Sequence, residues 1–381
     1  MENSFSSIIC VADMNITGVL DQCLEDISIP EVFIQRAKQM SLVNRKRLLG
    51  LRSGTRLDES RALIYRMYVP SEFAEGVMHR IAEVTDLKMG GRGCIFAQRI
   101  EMSRGAPLSF DTEKLESLCG KEKKIPAEEH TLVSCIIPRG SGNSLAQAML
   151  ELGVCVPVIF FGSGVGLRDK LGLMRITVPV EKEIIWLIVP RVDAELVEKT
   201  LIPRARLDVP GQGFLYKYNV HAPVVNLRVR QGKRVHAATM EQVIAALDEV
   251  QGSADWRRLG SRKNESGGSK NINSRGLFFI GEEEEVDVFR RTAMEAGARG
   301  ATLNSVEMRR YSGIGQAEAN ESHFRELCDI ITTAAIEEKL RERIVETGLL
   351  DSDKSGLLKS FNVEMPPVIR RHSQEAKKTL H

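Results

Sequence analysis

The sequence predicts an α+β fold of three tandem βαββαβ units, and three observations carry that prediction. First, the chain repeats itself. The segment from Ala62 to Met102 aligns without gaps on the one ending at Ala222, at an offset of 120 that sets Gly93 on Gly213 and Val69-Pro70 on Val189-Pro190. A further shift of 143 brings Leu327 to Met365 into line, with Gly356 in the glycine position. Self-similarity of this kind means copies of one supersecondary unit. Second, apolar residues change period inside each copy. Met67, Leu187 and Ile330 share a strand column, whereas Val77/Ile81, Val197/Leu201 and Leu340/Ile344 recur at i and i+4, the spacing of a buried helix face. Third, another strand and helix precede each aligned segment. Cys10 falls on Cys135 and Leu20 on Leu145 at an offset of 125, and Gly297 takes the place of Gly153 in the third copy.

Taken in order, the first copy spans 5–102: a strand through SIICVAD, a helix through Leu20, an extended pair, a second helix through Val77 and Ile81, and a last strand after Gly93. Residues 103–130, with Gly, Pro and the cluster KEKKIP, read as a linker. The second copy covers 131–230 and ends its first helix at Gly153. Residues 231–274 hold an extra helix over MEQVIAALDEV (240–250) and a polar Gly/Ser-rich linker. The third copy covers 275–367, and 368–381 is a tail expected to fray. Asp193 and Thr332-Thr333 suit helix caps. Strand, helix, two strands, helix, strand is the ferredoxin-like arrangement.

Composition narrows the function. At 381 residues, with 43% hydrophobic and 27% charged, the chain can bury several cores. A net charge of +2 supplies no field for holding nucleic acid, so none is expected as a partner. The N-terminus lacks a basic leader, and no apolar run approaches the ~20 residues that span a bilayer, so the protein is expected not to be membrane-embedded. Seven cysteines stand singly without CxxC, which argues against a disulfide framework or structural zinc and fits a reducing cytoplasm. No HExxH, GxSxG or GxxxxGK[ST] occurs, and the seven histidines are dispersed, so the expectation is a protein that is not an enzyme. Cys10 and Cys135, in matching strand columns, read as core residues.

The middle copy carries further cues: CIIPRGSGNSLAQAMLELGV at its start, PGQGFLYKYNV at the second helix-to-strand turn, and VVNLRVRQGK near its end. Together they resemble the PII (GlnB-like) signal-transduction family, whose separate subunits form trimers around a threefold axis. The resemblance implies a PII-like pseudo-trimer within one monomeric chain. It further implies a regulatory sensor that binds a small-molecule effector, a nucleotide or other anion, in clefts between copies. Loops would then signal to a regulated protein, an enzyme or transporter. ATP, ADP or AMP is the effector implied, with no tightly held cofactor and no metal. The family's phosphate loop falls on Gly211, Gln212 and Gly213, with charge available from Lys217, Arg228 and Arg230. Its long loop falls on the stretch with Gly162, Gly164, Gly166 and Arg168.

Alternatives stand beside each assignment. The lysine that follows the family's phosphate loop is absent, replaced by Phe214, Cys94 and Leu357 in the three copies, and a Gly-x-Gly turn also arises wherever positive φ is needed. The stretch FGSGVGLRDKLG, with Arg168, Asp169 and Lys170, also reads as a solvated hairpin tip. Gly140, Ser141, Gly142 and Asn143 precede a helix N-terminus that could hold an anion, or Asn143 or Ser144 caps it. A non-catalytic scaffold or adaptor with degenerate ligand sites is the rival reading.

Overall fold

The computed structural model describes residues 4–44, 55–120, 128–153, 155–166, 180–209, 211–225, 274–311, 323–351 and 354–366. Among these, the chain is a mixed α+β structure of twelve antiparallel strands and seven α-helices. A first set comprises β1 (Phe5–Asp13), α1 (Thr17–Asp26), β2 (Glu31–Asn44), β3 (Thr55–Pro70), α2 (Ala74–Val84) and β4 (Gly93–Arg104). After α3 (Thr112–Cys119) come β5 (His130–Pro138), α4 (Gly142–Leu152), β6 (Val158–Gly166), β7 (Val180–Pro190), α5 (Ala194–Arg204) and β8 (Phe214–Val224). The last set is β9 (Ser274–Gly281), α6 (Glu283–Ala296), β10 (Gly300–Arg310), β11 (His323–Thr333), α7 (Ala334–Thr347) and β12 (Leu357–Val363).

Each set pairs its strands in the same order: β4-β1-β3-β2, β8-β5-β7-β6 and β12-β9-β11-β10. The register carries the sequence offsets. Cys10 faces Tyr65 and Ile95, Cys135 faces Ile185 and Leu215, and Phe279 faces Cys328 and Leu358. The sets then join edge to edge. β2, β6 and β10 pair with one another, through Phe33 with Met308, Lys38 with Ile159 and Thr302 with Gly164. At the opposite edges β4 pairs with β8 and β12, and a bridge links Lys217 to Glu364. Every described strand therefore has at least two neighbours, which leaves none as an open template for pairing.

Strand alternation explains where the cores sit. Ile8 and Cys10 point under the helices with Leu20, Val77 and Ile81, while Ile9 and Val11 point to the opposite face. The second and third sets repeat this, with Leu145, Met149 and Leu201 in one helix-side core and Phe289, Leu340 and Ile344 in another. The opposite faces of all three sets merge into one shared core that includes Phe96, Trp186, Tyr218, Phe278 and Phe361. Sheets covered on both faces call for near-continuous apolar strands, which is why β1 and β5 each read as an unbroken buried run between their ends.

Two details differ from the sequence expectation, and a third adds a capping box to it. The stretch 103–130 contains α3, whose Leu115 is fully buried against the first set's helix-side core and whose start is capped by the Asp111 carboxylate accepting from the Lys114 N–H. Asp193 and Thr333 do occupy N-cap positions but make no side-chain cap hydrogen bond. In the third set, Glu282 and Glu285 form a reciprocal capping box at the start of α6, which puts their charge at the favourable end of the helix dipole. The helix expected over 240–250 and the Gly/Ser-rich linker lie outside the described residues.

Candidate functional site

A cleft of about 380 Å³ opens where β6 and β7 of the second set meet β10 of the third. Strand pairing builds it. Gly162 faces Lys182 across the β6–β7 ladder, and Ser163 faces Leu303 across the β6–β10 ladder, so both strands present residues to one opening. Gly162 is required there: a Cβ would lie 2.6 Å from Asn304 Oδ1 and 2.8 Å from the Leu303 carbonyl oxygen. The close approach of β10 depends on its absence.

The cleft combines an aromatic face with charge. Phe161 is 48% exposed, unusual for so large an apolar side chain in a strand. The Arg139 guanidinium lies 5.8 Å and the Lys38 ammonium 5.9 Å from its ring centroid, within cation–π range. Lys38 comes from β2, so all three sets supply residues around this point. Arg139 also pairs with Glu181 at 2.5 Å, and Lys38 donates to Glu59 and to Asn143 Oδ1. Ser163, Ser305 and Asn304 add hydroxyl and amide groups. The arrangement can hold a planar or apolar body on Phe161 and an anionic group beside Arg139 and Lys182. Among the described residues, no group of three or more His, Cys, Asp or Glu is placed to hold a metal.

The residues expected from sequence are dispersed. Gly162 lines the cleft and Gly164 lies next to it, yet both, with Gly166, belong to a hydrogen-bonded strand and not to a loop. Gly211, Gln212 and Gly213 form the turn before β8, which lies three strands from β6, roughly 14 Å at the usual strand spacing. Gly213 is held by sterics, since a Cβ would meet the Ile136 carbonyl oxygen at 2.6 Å. Lys217 is engaged by Glu198 at 2.7 Å and Glu364 at 3.8 Å, the latter from the third set. Arg168, Arg228 and Arg230 lie outside the described residues.

The N-terminus of α4 has its own occupant. The buried Glu183 carboxylate, from β7, accepts the Gly142 N–H at 2.5 Å, and a Cβ on residue 142 would collide with that oxygen at 2.6 Å. The helix's positive end is thus met by a side chain of the same chain. Neither Asn143 nor Ser144 caps it: Asn143 accepts from Lys38, and the Ser144 hydroxyl donates to the Ser141 carbonyl. Cys10 and Cys135 are fully buried, and burial pushes the Cys135 thiol up to about 12. Sequence reasoning missed Lys38, Arg139 and Asn304 as neighbours, because they belong to three different copies and only the inter-set pairing joins them.

Fold and cleft together define a class: an α+β chain that closes three equivalent strand-and-helix sets around one core and leaves a mixed aromatic and cationic opening between them. No family model matches the chain, and no curated protein does. Among solved structures it is similar to GlnK of B. subtilis, at 17% identity over 27% of this chain and 90% of that one, with a TM-score of 0.22. The B. subtilis GlnK–ATP complex gives 15% identity, the same shares and a TM-score of 0.21. An anthrone oxidase-like protein matches at 12% identity over 61% of this chain and 97% of that one, with a TM-score of 0.18. At these scores the likenesses assign neither fold nor ligand. Among the described residues, no helix is long and apolar enough to cross a membrane.

Proposed function

We propose that the chain is a PII-like regulatory sensor, three ferredoxin-like copies forming a pseudo-trimer in one polypeptide, and not a catalyst. One observation carries the reading: the exposed Phe161 is bracketed by Lys38 of the first set and Arg139 of the second, at a cleft lined by the second and third sets. A ligand there would touch separate copies at once, so its binding free energy would favour one arrangement of the sets over others. The ligand is a small anion with a planar or apolar part, and ATP, ADP and AMP are the first to try. A regulated protein would read the ligand's presence at this surface. The cytoplasm is the compartment proposed.

Calorimetry against ATP, ADP, AMP, cyclic nucleotides and bicarbonate tests this. Saturable heat with one of them is expected, weakened at least ~10-fold in Phe161→Ala, the loss of a stacking and cation–π surface. The scaffold reading has its own support: Lys217 is spent on two carboxylates, and steric contacts account for Gly213. It predicts no heat with any of these ligands.

A further inference from the structure

Positions that are equivalent in the three copies can touch only at the axis relating them. Arg66, Trp186 and Asp329 are such positions, facing Ile9, Ser134 and Phe278 across their ladders. The Arg66 guanidinium lies 5.2 Å from the Trp186 ring centroid and within electrostatic reach of Asp329. One layer along, the equivalent positions Phe96, Tyr216 and Lys359 contribute a hydrogen bond from the Tyr216 hydroxyl to Asp329 Oδ2 at 2.9 Å and an ammonium 4.5 Å from the Phe278 ring. Arg66 is 2% exposed and Lys359 1%.

Arg66 Nη1 and Trp186 Nε1, which can only donate, have no hydrogen-bond partner among the described residues, nor have the Tyr68 and Ser134 hydroxyls, which can donate or accept, nor Asp329 Oδ1. Two cations face one carboxylate. Burying an uncompensated charge costs several kcal/mol, and a guanidinium cannot shed its proton to escape the cost. Tyr68 sits two residues from Arg66 on the same strand face, so its hydroxyl and the guanidinium serve one region. Asp329 opposes an anion only when ionised; burial favours its acid form, in which the unpartnered oxygen becomes a further donor.

We propose that this axial cluster binds one small monovalent anion, held by Arg66, Trp186 and Tyr68 in the interior of the chain. The site is separate from the Phe161 cleft and stands whether or not that cleft binds a ligand. The anion compensates the surplus positive charge and gives the three orphaned donors an acceptor. Its size is limited by the rings of Trp186, Phe160 and Tyr68 that surround the guanidinium.

Two measurements on the full chain test it. Thermal unfolding in sodium chloride, bromide or nitrate is compared with sodium gluconate at equal ionic strength, and bromide-soaked crystals are measured at the bromine edge. A saturable rise in midpoint with the small anions is expected, together with a bromide peak beside Arg66 Nη1. Tyr68→Phe removes one donor at nearly constant volume, and Trp186→Phe removes the other while leaving a smaller ring in place; each should weaken half-saturation about tenfold, the loss of one hydrogen bond to a charged group. A water alone at the axis, no anion-dependent rise, or unchanged half-saturation in both variants overturns the proposal.

Discussion

At the scale of single residues, the buried charges of the axis set how stability follows pH. Burial raises the Asp329 carboxyl from 3.8 to about 7, so the folded chain keeps a proton that the unfolded chain releases above its ordinary value. Stability therefore falls as pH climbs from about 4 to about 7. Lys359 acts in the opposite sense. Burial, helped by repulsion from Arg66, lowers its ammonium from 10.5 to about 7, so above neutrality the unfolded chain holds the extra proton and stability rises with pH. Denaturant midpoints should accordingly be lowest near neutral pH. Asp329→Asn should flatten the acid limb and Lys359→Met the alkaline one; limbs identical to the parent's would show that these two groups do not set the profile. None of this was legible in the sequence. Lys359 within LLKSFNV looks like a solvent-facing strand position, and only the merging of three sheets buries it.

At the scale of elements, much was legible, because local sequence reports local burial. The i and i+4 pairs Val77/Ile81 and Leu340/Ile344 lie in the helix-side cores, and the shared offsets recur in the register. Helix α3 was missed because its single buried anchor, Leu115, gives too little periodicity beside the lysine cluster that follows. The glycine turns mattered for shape more than for ligand. Gly93, at φ +141°, would put a Cβ 1.8 Å from the Val11 carbonyl oxygen, whereas Gly211, at φ +85°, faces open space. Gly93→Ala should cost about 3 kcal/mol and Gly211→Ala about 1 kcal/mol in equilibrium unfolding. Comparable costs at both positions would mean that φ alone, without the close approach of β1, governs this turn.

For the whole molecule, closure depends on complementary residues at equivalent places. Arg66 and Asp329, of opposite sign, share the axis with Trp186, whose ring the guanidinium faces. Arg66→Asp sets two carboxylates together in the interior and should cost ~3–5 kcal/mol, the usual cost of an uncompensated buried charge. Combining it with Asp329→Arg should recover part of that loss, which a double-mutant cycle measures directly. Additive costs with no recovery would mean the two side chains do not interact. The cleft belongs to this scale too: Lys38, Phe161 and Asn304 are more than 100 positions apart from one another in the chain, a separation no local pattern bridges.

The mixed occupancy of the axis has a consequence for how such a chain can change over time. In a ring of three identical subunits, any substitution at the axis is introduced in triplicate, and a single buried arginine there is unattainable because it always arrives as three. Here the same position is mutated one copy at a time, so its dosage is one. Arg66, Trp186 and Asp329 show the result, a cation, a ring and an acid where a symmetric assembly would hold a single residue type. Having diverged this way, neither the first nor the third copy can form a like-with-like trimer about this axis: three of the first would crowd three guanidinium groups together, and three of the last three carboxylates.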